Sequence, residues 1–179
     1  MPRISEEAFY GGAKERIERL GLGNLLDEIR RILSGFRLEV LEQKDKNGGA
    51  EVRARLDARF EEATGWVKKQ TGDVDWTISK IVNGTKLSIG VEIQVSARSD
   101  LIVVDLIHLR KAIAQGLIDI GVLVVPSDRL GGFLTDRAPR MSDAKRHVKE
   151  ARVEDLPLVL LALEHDGPGA ALPKRSKRS

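Results

Sequence analysis

The sequence predicts an α/β domain built around a mixed β-sheet. Three features carry this expectation: two alternating segments joined by Asn83-Gly84, a helix-like segment after them, and then the nearly continuous apolar run LIDIGVLVVP. Alternation with a period of two predicts strands with one exposed face, whereas an unbroken apolar run predicts a strand buried on both faces. A hairpin followed by a strand–helix–strand unit combines antiparallel and parallel pairing in one sheet.

The first third of the chain is expected to be mainly helical. Apolar residues with helical spacing predict helices over residues 4–20, 24–33 and 50–63. Asn24 can cap the second of these helices. Between the second and third, the alternating segment FRLEVLE, residues 36–42, predicts a strand.

Asn83-Gly84 predicts a two-residue hairpin turn, because a type I′ turn requires positive φ at both central residues. Such a turn fixes the register, so that opposed residues have numbers adding up to 167. The predicted pairs are Ile78–Ile89, Trp76–Val91 and Val74–Ile93 on the apolar face, and Thr77–Gly90, Asp75–Glu92 and Asp73–Gln94 on the polar face. Two carboxylates are thereby set against each other.

The second half of the chain is expected to alternate between strands and helices. A helix is predicted over residues 99–115, a buried strand parallel to the preceding one over 117–126, and a glycine-rich basic loop over 127–140. A short basic helix over 142–151 and another buried strand over 156–164 follow.

The composition limits the possible functions. With 179 residues, 41% of them hydrophobic, we expect a single domain over residues 1–166 and a flexible basic tail over 167–179. The absence of a long apolar run or leader-like start predicts a cytoplasmic protein without a membrane partner. With no cysteine and three histidines, a metal would have oxygen ligands. The glycine pairs lack a phosphate-loop context, which argues against a nucleotide cofactor.

Opposed carboxylates on paired strands repel each other, so something should offset the repulsion. Either the two share a proton, which raises one pKa, or they bind a cation. Mg²⁺ suits such a pair, because it takes oxygen ligands and completes its shell with water and phosphate oxygens. The alternative is that Glu92 and Gln94 lie on the solvent-exposed face of a strand and have no functional role.

An acidic residue, a hairpin turn and a strand ending in Glu-x-Gln resemble the PD-(D/E)XK nucleases. Within that superfamily the pattern is similar to the BglII-like type II restriction endonucleases. The similarity covers about residues 45–165 and includes NGGA, TGWVKKQ, IGVEIQVSARSDLIVVDLIHLRKAIAQGLIDIGVLVVPSD and DLPLVLLALE in the same order. It implies a restriction-endonuclease-like mixed β-sheet flanked by helices.

The resemblance also implies roles for individual residues. Asp75 and Glu92 would hold Mg²⁺, with Asp73 as the fallback for Asp75, and the main chain of Ile93 would lend a carbonyl ligand. Gln94 would take the place of the catalytic lysine of the wider superfamily. Because glutamine is neutral, Gln94 can orient a water molecule but cannot supply a positive charge.

Several further residues have open roles. Glu51 and Glu61 are both candidates for an additional acidic ligand, and His108 is expected in the core or at an interface. Basic residues after the Glu-x-Gln strand and after the second buried strand are expected to contact DNA, or else to be solvated surface. These residues are Arg98, Arg137, Arg140, Lys145 and Arg146.

The sequence therefore favours a Mg²⁺-dependent, sequence-specific endonuclease that hydrolyses phosphodiester bonds of double-stranded DNA. A type II restriction enzyme of this kind is expected to act as a homodimer, because symmetric cutting of two antiparallel strands needs two sites related by a twofold axis. One alternative is a repair or defence nuclease of the same fold with low sequence specificity. The other is a noncatalytic DNA-binding protein on the same scaffold.

Overall fold

The computed structural model describes residues 2–69, 73–96, 98–135 and 137–174. The strands in this part of the chain are β1 (Arg3–Tyr10), β2 (Glu39–Val40), β3 (Val67–Lys68), β4 (Trp76–Val82), β5 (Thr85–Ile93), β6 (Ile120–Pro126), β7 (Leu158–Glu164) and β8 (Gly167–Pro168). The helices are α1 (Ala13–Arg19), α2 (Gly23–Ser34), α3 (Gly49–Glu62), α4 (Ile102–Ala114), α5 (Asp128–Phe133) and α6 (Met141–Glu150), with a 3₁₀ turn over Ser99–Leu101 before α4.

Six of these strands form one mixed sheet in the order β1-β7-β6-β5-β4-β3. β5, β6 and β7 are parallel neighbours, whereas β1, β4 and β3 pair antiparallel with the strand beside them. β2 and β8 form a separate parallel pair. This arrangement confirms the predicted mixed sheet, and α4 is the crossover helix between β5 and β6.

Helices cover both faces of the sheet because the central strands are apolar on both sides. In β6, Val122 and Val124 pack into the cluster that α2 and α3 complete, while Leu123 and Val125 pack into the cluster that α4 and α6 complete. The carboxyl ends of the parallel strands emerge between these layers, where open α/β sheets bind their ligands. No helix within the described residues combines the length and the apolar content needed to cross a bilayer.

The hairpin register is confirmed over the whole of β4. Its pairs run from Val82 opposite Thr85 to Trp76 opposite Val91, and Asn83 has φ 49°. The regular ladder ends at Trp76, so the predicted pairing of Val74 with Ile93 on the apolar face is wrong.

Val74 packs on the opposite face of the sheet, in the cluster formed with α4. A Cβ built on Gly90 would lie 2.8 Å from Ile118 Cδ1 and 3.1 Å from Val74 Cγ1. The missing side chain at Gly90 therefore provides the space into which Val74 and Ile118 pack. Val74 and Trp76 therefore pack on opposite faces of the sheet, although they are two residues apart.

Three other element predictions need correction. The segment predicted as the start of a helix over 4–20 is the strand β1, which covers the free edge of buried β7. The strand predicted over 36–42 shortens to two residues. The loop predicted over 127–140 contains α5, whose first turn is capped by the Ser127 hydroxyl accepting the Leu130 N–H at 3.0 Å.

The chain after Asp166, predicted as a flexible tail, packs against the domain over its first residues. β8 pairs with β2, and Leu172 is buried, with its N–H donating to Asn47 Oδ1 at 3.1 Å. The end of the predicted tail, residues 175–179, lies outside the described residues.

Candidate active site

Just before β4 begins, the carboxylate of Asp75 takes the place of a backbone carbonyl as hydrogen-bond acceptor for β5. Its Oδ2 accepts the N–H of Ile93 at 3.0 Å, and its Oδ1 lies 2.9 Å from Arg53 Nη2. The carbonyl of Asp75 is turned away and accepts the N–H of Lys69 at 3.0 Å. The side chain is thereby fixed at the carboxyl end of β5.

Glu92 lies beside Asp75 and is only 2% exposed. The two carboxyl groups are close enough for each to shift the pKa of the other, so the predicted meeting of the carboxylates occurs in the structure. On its other side, Glu92 Oε1 lies 3.0 Å from Nδ1 of His108. Glu92, His108 and Asp105 bring their possible ligand atoms within 4.8 Å of one another.

Asp105 and His108 lie three residues apart on α4, which places both side chains on the same helix face. The sequence offers one signal for this pair, namely two polar residues at helical spacing in an otherwise apolar segment. His108, expected in the core or at an interface, instead contacts the buried carboxyl group. One oxygen of Asp105 is buried and has no hydrogen-bond partner among the described residues.

The surroundings of Asp75, Glu92 and Asp105 shift the pKa values of these three carboxyl groups by different amounts. Burial, together with the charges of Asp75 and Asp105, raises the pKa of Glu92 to about 10. Burial and the charge of Asp75 raise the pKa of Asp105 to about 7. Burial opposes ionisation of Asp75 as well, but Arg53 outweighs it and lowers the pKa of Asp75 below its usual value. At neutral pH, Asp75 is therefore ionised and Glu92 protonated.

Arg53 is a component of the site that sequence reasoning missed. From α3 it donates through Nη1 to the carbonyl of Ile93 at 2.5 Å and through Nε to Oδ2 of Asp57 at 3.1 Å, in addition to its pair with Asp75. Asp57 is in turn held by Nε1 of Trp76, at 2.9 Å. The signal in the sequence is weak, because Arg and Asp four residues apart are common on exposed helices.

The side chain of Gln94 forms its hydrogen bond with the backbone of Ser96 and not with Asp75 or Glu92. Its side-chain Nε2 donates to the carbonyl of Ser96 at 2.8 Å, and its backbone N–H donates to Val124 at 2.9 Å. The side chain thus lies against the loop that follows β5.

The other acidic residues predicted as possible ligands, Asp73, Glu51 and Glu61, differ in exposure and in their ion-pair partners. Asp73, the fallback for Asp75, is exposed in a turn with φ 67°. Glu51 pairs with Arg55 at 2.9 Å, and Glu61 pairs with Lys68 at 3.0 Å. Of these three, Glu51 lines a cavity of about 390 Å³ that also borders Arg53.

The chemistry of these donors fits a divalent cation. Asp75, Glu92 and the carbonyl of Ile93 offer oxygen ligands, which Mg²⁺ prefers. A cationic guanidinium already bridges two of the three, and the unpartnered oxygen of Asp105 adds a further buried acceptor. The residues present therefore suit an ion of this class.

Two of the predicted DNA-contacting residues border a common cavity. Arg137 and Arg140 line a space of about 460 Å³ together with Lys44, at the start of α6. Arg137 adopts a positive φ of 54° and is exposed. Asp45 and Asp143 share the lining of this cavity with the three cations.

The other predicted contacts are engaged in ion pairs. Lys145 pairs with Glu6 of β1. Arg98 forms two hydrogen bonds to the carboxylate of Asp100, at 3.0 and 2.9 Å. Arg146 pairs with Asp143 at 3.2 Å and with Glu150 at 3.1 Å. The predicted basic cluster is thus divided into an open part and a neutralised part.

A mixed sheet whose central hairpin and parallel strand bring Asp75, Glu92 and the carbonyl of Ile93 together is the architecture of a restriction-endonuclease-like nuclease. The family model of the restriction endonucleases BglII/BglIII matches residues 6–163 of the 179. The chain therefore belongs to this family, and it is a site-specific type II deoxyribonuclease. Among curated proteins, none matches the chain.

Proposed function

We propose that this protein is a Mg²⁺-dependent endonuclease that recognises a short sequence in double-stranded DNA and hydrolyses a phosphodiester bond in each strand. The observation that carries the proposal is the convergence of Asp75, Glu92 and the carbonyl of Ile93 at the end of β5. Membership of the family supports DNA as the substrate. We further propose that it acts in the cytoplasm and needs no nucleotide cofactor.

In this proposal, Asp75 and Glu92 bind the cation, with the carbonyl of Ile93 as a third ligand. The bound ion would polarise the scissile phosphate and lower the pKa of a water molecule. Asp75 is suited to this role because it is ionised and is oriented by the Ile93 N–H. Glu92 has to release its proton to become a ligand, and Gln94 is proposed to orient the attacking water through its neutral amide.

Arg137 and Arg140 are proposed to contact DNA from the cavity at the start of α6. Arg98, Lys145 and Arg146 remain proposed backbone contacts, and each would have to exchange a carboxylate partner for a phosphate. Such contacts position the duplex, whereas sequence is read at the base edges in the grooves.

A homodimer is proposed because two sites are needed to cut two strands symmetrically. The outer face of α4 and the turn that precedes it support this proposal. Leu101, Val104 and Ile107 follow one another at helical spacing and are 41%, 43% and 52% exposed. An apolar stripe of this kind on a soluble protein is a common feature of protein interfaces.

The test is cleavage of plasmid DNA with Mg²⁺, beside the variants Asp75→Ala and Glu92→Ala and a sample containing EDTA. Discrete fragments that disappear in both variants and with EDTA are the expected result. Random degradation would instead support the low-specificity nuclease. DNA binding without cleavage across several divalent metals would support the noncatalytic alternative and contradict the proposal.

A further inference from the structure

Arg53 occupies the two oxygen atoms that the proposed cation would use. Its guanidinium bridges Asp75 Oδ1 at 2.9 Å and the carbonyl of Ile93 at 2.5 Å, and its side chain is only 22% exposed. Both contacts are charge-assisted hydrogen bonds, which are stronger than neutral ones. Arg53 is therefore a built component of the site rather than a solvated surface residue.

A divalent cation would compete with this guanidinium for the lone pairs of the same two oxygens. Mg²⁺ binds its ligands at about 2.1 Å, within the space that the guanidinium fills. Two cations a few ångströms apart in a partly buried site also repel each other strongly. Competition and charge repulsion together favour the departure of Arg53 from Asp75 when the ion binds.

The structure also offers Arg53 a second position. Its Nε already contacts Asp57 at 3.1 Å, and Asp57 is held in place by Trp76 Nε1. The cavity of about 390 Å³ beside Arg53 is lined by Asp57, Glu51 and Ser96, among others. A guanidinium released from Asp75 can keep its bond to Asp57 and move into this cavity.

We propose that Arg53 and the divalent cation alternate at Asp75 and the Ile93 carbonyl, with Arg53 moving onto Asp57 when the ion binds. The inference rests on the proposed function, since it assumes that the metal ligands are Asp75 and Ile93. Arg53 is then a positioning residue: without the ion, it keeps the Asp75 carboxylate directed at the end of β5. The ion has to compete with it, which weakens the apparent affinity for the metal.

The experiment measures Mg²⁺ and Mn²⁺ binding to the full chain by titration calorimetry without DNA. Arg53→Gln is expected to bind the ion about tenfold more tightly than the wild type, as it would if the state with Arg53 displaced makes up about a tenth of the ensemble. The matched control is Arg55→Gln on the same helix. Arg55 contacts Glu51 and the carbonyl of Arg37, so its loss removes the same charge and should change the affinity by less than about threefold.

The alternation alone is overturned if Arg53→Gln binds metal no more tightly than the wild type. This conclusion requires that the wild type binds metal and cleaves plasmid DNA and that Asp75→Asn does neither. Equal tightening in Arg53→Gln and Arg55→Gln also overturns it, because the effect would then be one of net charge. Absence of metal binding and of cleavage in every protein overturns the proposed function as well.

A second measurement needs no variant and covers the case in which Arg53→Gln does not fold. Crystals of the wild-type protein soaked in Mn²⁺ should show the ion on Asp75 by anomalous scattering, with the guanidinium of Arg53 out of hydrogen-bond range of Asp75 and still on Asp57. Mn²⁺ and Arg53 bound together to Asp75 would overturn the inference.

Discussion

The carboxylate of Asp75 accepts the backbone N–H of Ile93 at 3.0 Å. This side-chain hydrogen bond links the two segments just beyond the last backbone pair of β4 and β5, which is Trp76 with Val91. This bond fixes the carboxylate to the backbone N–H of Ile93, and the next peptide group, which carries the Ile93 carbonyl, is held by the Gln94 N–H donating to Val124 at 2.9 Å. Two proposed ligands of one ion are therefore held by the same end of the sheet, which reduces the conformational freedom that would be lost on binding.

The first prediction separates Asp75 from its sequence neighbour Asp73. Asp75→Asn keeps an oxygen that can accept the Ile93 N–H but removes the charge, so plasmid cleavage should fall by about 100-fold or more. Asp73→Asn is the matched control, because Asp73 is exposed, and its cleavage rate should be close to that of the wild type. Equal losses in the two variants, measured as initial rates with Mg²⁺, would contradict the assignment of Asp75 as the ligand.

The second prediction concerns the pH dependence of stability. In the folded protein the pKa of Glu92 is about 10, against an ordinary value of 4.5. Between these values the folded state keeps a proton that the unfolded chain releases, so the free energy of unfolding decreases as the pH rises. Glu92→Gln has no such proton. Without metal at pH 8, the variant should be more stable than the wild type by about 2 to 4 kcal/mol.

This difference should shrink as the pH falls to 4.5 and disappear below it, where both states of the wild type bind the proton. Urea unfolding in EDTA at several pH values measures it. Glu61→Gln is the control, since Glu61 is exposed and paired only with Lys68 among the described residues, and it should change the stability by less than about 0.5 kcal/mol. A Glu92→Gln variant less stable than the wild type at pH 8 would show that the buried carboxyl group is ionised.

The parts of the site that the sequence could predict are those that local register determines. Asn83-Gly84 fixes the pairing of β4 with β5 as far as Trp76 opposite Val91, and Asp75 and Glu92 are the next residues along the two segments. Arg53 reaches the site only because α3 docks against the sheet, and no local pattern encodes that contact.

The wrong assignment at the N-terminus has a local cause. The register of β1 shifts between Ile4 and Glu6, which interrupts the period of two that indicates a strand. The remaining apolar spacing of Ile4 and Ala8 imitates a helix turn. Only the presence of β7 as a buried partner makes this segment a strand, and that is information about tertiary structure.

The third prediction compares two arginines near α6. Arg146 is paired with Asp143 at 3.2 Å and Glu150 at 3.1 Å, whereas Arg137 is exposed beside the basic cavity. Arg137→Ala should weaken DNA binding and reduce the slope of log K against log salt by about one. Arg146→Ala should reduce that slope by less than Arg137→Ala, because Arg146 has to give up its carboxylate partners before it can contact a phosphate. Binding measured in Ca²⁺ over a range of salt concentrations tests both, and a larger effect of Arg146 would contradict the division of the cluster.

The fourth prediction concerns assembly. Ile107 is the most exposed residue, at 52%, of the apolar stripe formed by Leu101, Val104 and Ile107, so burying it against a second copy would remove apolar surface from water. Ile107→Glu places a charge in that interface and should convert a dimer into a monomer in sedimentation experiments. Ile81, which is 65% exposed at the tip of the hairpin, provides the control: Ile81→Glu should leave the dimer intact. A wild-type protein that sediments as a monomer at all concentrations, or a dimer that tolerates Ile107→Glu, would contradict the assignment of α4 as the dimer interface.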